Sequence, residues 1–152
     1  MRGPRLLVAM AAGLAFAGAA AAPAGAAGFR SVAENAAVLY DAPSAKAKKL
    51  YVVSRGYPLE VIVVVEGWSK VRDASGELSW IESKQLSDRR TVMIKAPLAQ
   101  IREGVDDAST VVFQARQNVV LELLEVVSGS WLRVRHPDGQ TGFIRVAQVW
   151  GA

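Results

Sequence analysis

Between short clusters of Gly, Pro, Asp and Ser, apolar and polar residues alternate in brief runs, the period of half-buried strands rather than helices. One such run occurs twice. Gly67-Trp68-Ser69-Lys70-Val71-Arg72 is followed by Gly76, Trp80 and Ile81; Ser130-Trp131-Leu132-Arg133-Val134-Arg135 is followed by Gly139, Phe143 and Ile144. Matched positions lie 63 residues apart throughout. Each copy predicts a strand, a tight turn at the glycine and a second strand ending in an aromatic–Ile pair. Together they predict a tandem repeat of one small β unit.

The flanking sequence extends both units. Phe29 to Val38 predicts a first strand, and Leu39-Tyr40-Asp41-Ala42-Pro43-Ser44 opens a polar loop that carries Lys46, Lys48 and Lys49. Leu50 to Val53 reads as a short extended piece and Arg55-Gly56-Tyr57-Pro58 as a turn. The β-branched run from Leu59 to Val65 is the strongest strand signal in the chain. The second unit follows at an offset of 62, which becomes 63 after one inserted residue near Ser128-Gly129. Gly56 then matches Asn118, the two residue types that best tolerate a left-handed turn. Asp73-Ala74-Ser75-Gly76 matches the turn His136-Pro137-Asp138-Gly139. Ser87 to Arg90 is a polar joint too short to float. Five or so strands in roughly 60 residues, without a helix, predict an all-β chain of two small antiparallel barrels, over residues 29–88 and 89–152.

The first residues change the picture of size and charge. Arg2 and Arg5 precede an apolar run from Leu6 to Ala22, and small residues follow at Ala24 to Gly28: a signal peptide over residues 1–27, cut after Ala26 or Ala27. The alternative, an uncleaved anchor, fits less well because the run is short and rich in Ala and Gly. The expected location is the periplasm or the exterior, with no stable membrane insertion after cleavage. An exported chain without cysteine has no disulfides and must rely on packing. Units of roughly 60 residues bury only about 60% of their unfolded surface, so mutual packing of the two is expected. The formal charge of +4 includes Arg2 and Arg5. What remains is nearly balanced and evenly spread, without the basic footprint of a nucleic-acid binder.

With this order of elements the chain resembles the SH3-like fold, in particular the bacterial SH3-like domains of small exported proteins of Gram-negative bacteria. Ala37-Val38-Leu39-Tyr40-Asp41 is similar to the segment that opens eukaryotic SH3 domains. Gly67 to Arg72, Gly76 and Trp80-Ile81 look like that fold's Trp strand, distal turn and closing strand. The resemblance covers nearly all the chain after the leader, twice. It implies binding without catalysis, and for bacterial members recognition of cell-wall peptide. Eukaryotic relatives grip proline-rich peptides with an opening Tyr, a strand Trp and a late Pro and Tyr. Tyr40 and Trp68 match the first two. Glu82 and Gln85 stand where the late pair would be, as do Arg145 and Gln148 in unit two, and Arg102 replaces the opening Tyr there. These departures count against proline-rich recognition.

Alternation places the remaining candidates. With Leu132 and Val134 inward, Trp131, Arg133 and Arg135 face outward; with Val71 inward, so do Trp68, Lys70 and Arg72. An outward Trp beside cations is either a ligand platform or a cover for neighbouring stems. The candidate ligand-binding set is Tyr40, Tyr57, Trp68, Lys70 and Arg72. Trp80, Phe143 and Trp150 read as packing or closing residues. Chemistry finds no footing: the single His136 precedes Pro137 in a turn, no Gly-x-Ser-x-Gly elbow is present, and Asp106-Asp107 lacks a calcium-loop pattern. No catalytic residue, metal or cofactor is expected.

The expected function is a monomeric, non-catalytic binding module for cell-envelope peptide or peptidoglycan. The alternative is a periplasmic protein–protein adaptor or structural subunit, whose partner is another exported protein. The leader makes the first testable statement. N-terminal sequencing of the processed protein should begin near Ala27 or Gly28, in the periplasmic fraction; Met1 on that product would overturn the assignment.

Overall fold

In a computed structural model, residues 28–127 and 129–152 are described, and the expected leader lies outside them. The chain forms two antiparallel sheets of the same topology. The first holds β1 (Gly28–Val32), β2 (Ala36–Tyr40), β3 (Lys49–Ser54), β4 (Pro58–Val65), β5 (Trp68–Arg72), β6 (Leu78–Glu82) and β7 (Leu86–Ser87), in the order β3-β2-β6-β5-β4-β1-β7. The second repeats it with β8 (Thr91–Ile94), β9 (Leu98–Arg102), β10 (Val111–Arg116), β11 (Val120–Val127), β12 (Trp131–Arg135), β13 (Thr141–Arg145) and β14 (Val149–Trp150), ordered β10-β9-β13-β12-β11-β8-β14. A single 3-10 turn precedes the last strand of each, Ser83–Gln85 and Val146–Gln148. No helix among the described residues is long and apolar enough to cross a membrane.

Each sheet wraps its apolar face around its own core. Val32, Ala37, Leu39, Leu59, Val71, Ile81 and Leu86 fill the first. Ile94, Ala99, Ile101, Leu121, Val134, Ile144 and Val149 fill the same repeat positions of the second. One buried position differs in kind. Ser69 shares a 2.7 Å hydrogen bond with Ser83 in the first barrel, whereas the matching positions of the second are apolar, Leu132 in the core and Val146 packed against that core.

The structure departs from the expected strand plan in two ways. Phe29 to Val38 is not one strand: it breaks at Ala33 to Asn35. The two halves have different partners, β1 pairing with β4 and β7, and β2 with β3 and β6. The chain has to bend to change neighbours, and in unit two Pro97 lies in the matching break. The β-branched run of β4 is also only half buried. A bulge between Val61 and Val63 turns its end away from the core, leaving Val63, Val64 and Val65 exposed. Branched side chains favour the pleat whether or not the face is covered.

The two barrels meet through a three-residue connection, Asp88 to Arg90. Ser31 Oγ donates to the Arg89 carbonyl at 2.6 Å, Thr91 Oγ1 to that of Gly56 at 2.6 Å, and Arg90 to that of Gly151 at 2.9 Å. Phe29 and Trp150 pack edge to face at 4.9 Å, bringing the first strand of one barrel against the last of the other.

Gly142 marks the tightest approach within the second barrel. A Cβ there would lie 2.5 Å from Ile101 Cγ2 and 2.7 Å from the Arg102 carbonyl oxygen. The oxygen belongs to a paired strand and cannot swing aside. Gly142→Ala should therefore lower stability by about 1–3 kcal/mol, the usual range for overpacking, measured by thermal or denaturant melts. An unchanged melt would show that β9 and β13 can separate freely.

Candidate functional site

Tyr40 ends β2 and Trp68 opens β5, with β6 between these strands. A register shift between Leu39 and Tyr40 lets both be buried: Leu39 enters the core while Tyr40 meets Trp68. The rings pack edge to face at 5.4 Å and 88°. Tyr40 is buried and Trp68 half-buried, so the indole forms the more accessible part of this wall.

Cross-strand pairing sets the rest of the patch. Trp80 lies opposite both Tyr40 and Lys70, and the Lys70 ammonium sits 5.9 Å from the Trp80 ring centre. Glu82 lies directly opposite Trp68 and pairs with Lys84 at 2.8 Å. Alternation along β5 is as expected, with Val71 buried and Trp68, Lys70 and Arg72 on the outer face. Arg72, however, is tied to Glu60 across the β4–β5 ladder at 2.8 Å. Tyr40, Trp68 and Lys70 are thus brought together, with Trp80 and Glu82 beside them. Of these last two, Trp80 reads as packing from its position beside Ile81, and only the strand register shows its link to Lys70.

Tyr57 stands apart. Its ring packs against the first core and faces the second unit, sharing a depression with Met93, Asn118 and Val120. Burial, then Asp73, pushes its phenol above the ordinary value. It belongs to the junction, not to the aromatic wall, because the left-handed Gly56 turns the chain toward the partner barrel.

Unit two treats the same position differently. Trp131 lies on the outer side by alternation yet is only 7% exposed, because the Arg145 guanidinium covers it at 4.2 Å from the ring centre. Arg145 is the residue directly opposite Trp131 across the β12–β13 ladder, the place Glu82 takes in unit one. Asp107 holds it there through contacts of 2.6 and 3.3 Å, and the Ser130 hydroxyl accepts a further bond at 3.3 Å. The Arg145 guanidinium in turn holds the Asp107 carboxyl below its ordinary range. Arg102, at the repeat position of Tyr40, donates to the Ser109 carbonyl and to Gln100. Trp131, Arg145, Arg102 and Asp107 line a depression of about 210 Å³, so the second wall is narrowed by its own side chains but not sealed.

A separate depression of about 530 Å³ is lined by Glu34, Asn35, Ala36, Lys84 and Gln85; Tyr40 and Trp68 lie outside that lining. Among the described residues, no group of three or more His, Asp or Glu could hold a metal ion.

No curated protein matches the sequence. Among solved structures, NlpC2 from Trichomonas vaginalis is 15% identical, with 82% of this chain and 47% of that one covered and a TM-score of 0.37. NlpC1 from the same organism is 14% identical, covering 88% and 49%, also at 0.37. An NlpC/P60 family protein from Bacillus cereus ATCC 10987 is 17% identical, covering 80% and 55%, at 0.38. The chain spans about half the length of these structures. The family model for the bacterial SH3 domain matches twice, over residues 33–88 and 95–151, one match on each sheet. The chain belongs to the bacterial SH3 domain family, with two such domains in tandem.

Proposed function

We propose that this protein is a non-catalytic, exported binding module that recognises cell-envelope peptide or peptidoglycan through the first barrel. Trp68 is the platform and Tyr40 its support, with Lys70 at the edge. The observation that carries this reading is the contrast between the repeats. Trp131 is covered by Arg145, which Asp107 fixes in place, whereas Trp68 has Glu82 opposite it and keeps part of its ring open. An indole with few rotatable bonds, backed by a second ring, is the kind of surface that carries a large share of binding energy. Tyr57 and Arg72 leave the candidate set, the first for the junction and the second for Glu60. The chain acts as a monomer in the periplasm or outside the cell.

A second reading has its own support. Strand β3 lies at the edge of the first sheet with Tyr51 49% and Val52 68% exposed. An open edge of this kind can accept a strand from another protein, which would make the chain an adaptor. Purified sacculi and an envelope protein extract, offered separately to the immobilised protein, distinguish the two.

For sacculi, Trp68→Ala should weaken retention at least tenfold, about 1.4 kcal/mol. Trp131→Ala should leave retention close to that of the parent but lower the melting temperature more, because it removes a buried ring and the surface under Arg145. The measurement is sedimentation with sacculi alongside thermal melts. Loss of retention in Trp131→Ala with retention intact in Trp68→Ala would place the reader in unit two and sink the proposal.

A further inference from the structure

The cleft between the two barrels carries side chains that the aromatic wall does not use. It encloses about 780 Å³ and is lined from both sides: Arg55 from the first barrel, Arg89 from the connection, and Glu122, Arg135 and His136 from the second. Glu122 is the one carboxylate among the lining residues. It accepts from Arg135 Nε and Nη2 at 2.9 and 2.6 Å and from Arg89 Nε at 3.2 Å, and Arg89 Nη2 lies 3.0 Å away as an ion-pair contact. Arg89 and Arg135 hold its carboxyl below the ordinary range. The Nη1 groups of these two arginines have no hydrogen-bond partner among the described residues. Arg55, on the opposite wall, makes no ion pair among the described residues. The hydroxyls of Ser31 and Thr91, also in the lining, are already bonded to backbone carbonyls.

Three guanidinium groups therefore share the cleft with one carboxylate, and the donors left over sit on two walls. A planar guanidinium presents paired donors that match a carboxylate, and the bond is about twice as strong as a neutral one. Glu122 already shows that pairing inside the cleft. A single small anion would satisfy one wall and leave the other, whereas the volume admits a molecule that reaches both. We propose that this cleft binds a small multivalent carboxylate, which bridges Arg55 to the free edges of Arg89 and Arg135 and so spans the two domains. This site is separate from the aromatic wall and does not depend on it.

The test is titration of the protein with citrate at constant ionic strength, following the arginine Nε–H resonances and the melting temperature. Citrate should saturate, shift Arg55, Arg89 and Arg135, and raise the melting temperature; acetate should do none of these at equal concentration. Arg55→Gln should weaken citrate binding at least tenfold while leaving the ligand-free melt unchanged, since the side chain makes no ion pair among the described residues. Arg133→Gln, on the same strand as Arg135 but outside the cleft, should stay within twofold of the parent, as should Trp68→Ala. Acetate matching citrate, a non-saturating response, or Arg133→Gln as harmful as Arg55→Gln would reduce the effect to general screening and overturn the proposal. Binding of tripolyphosphate without citrate would overturn the carboxylate assignment.

Discussion

The connection from Asp88 to Arg90 constrains the rest of the molecule. Each barrel closes by pairing its last strand with its first, β7 with β1 and β14 with β8. The first closure delivers the chain directly into the second barrel, with no slack to let the two swing apart. Three side-chain hydrogen bonds to backbone carbonyls then fix the joint, each worth about 1 kcal/mol. The edge-to-face pair of Phe29 and Trp150 adds about 0.5–1.5 kcal/mol beyond its buried area. The joint is not favourable everywhere: Arg90 Nε and Trp150 Nε1 are buried without a hydrogen-bond partner among the described residues. For units this small, shared surface adds to the limited core that each builds alone.

Much of this was legible because the repeat exposes what each position needs. Gly56 and Asn118 match at an offset of 62, and both adopt positive φ, at 84° and 70°. The turn glycines Gly76 and Gly139 do the same at 90° and 99°. Inward and outward residues of β5 follow from alternation alone. The split of Phe29 to Val38 was not legible, because it reflects a change of pairing partner that no local pattern records. Nor was the exposure of Val63 to Val65, which the bulge creates downstream of a run that looks uniform.

The candidate site was half visible for the same reason. Tyr40 and Trp68 could be paired through the resemblance to the SH3-like fold, whose opening Tyr and strand Trp they match. Tyr57 could not be excluded, because the direction in which Gly56 sends the chain is a tertiary fact. The cover over Trp131 did have a signal. In both repeats the residue 14 positions after the Trp lies opposite it once the hairpin register is set: Glu82 in one, Arg145 in the other. That one difference, a carboxylate against a guanidinium, leaves one indole partly open and covers its counterpart.

The serine pair of the first barrel bears on how a duplicated chain keeps its halves apart while folding. Neighbouring repeats of one fold invite strand exchange, since each strand finds a near-copy of its own site next door. A hybrid barrel holding β5 beside the 3-10 turn of the second repeat would set the Ser69 hydroxyl against Val146, whose side chain cannot accept its proton. A buried hydroxyl left without a partner costs about 1–3 kcal/mol. The Ser69–Ser83 bond thus acts as a label of origin for β5, which keeps its hydroxyl partner only in its own barrel.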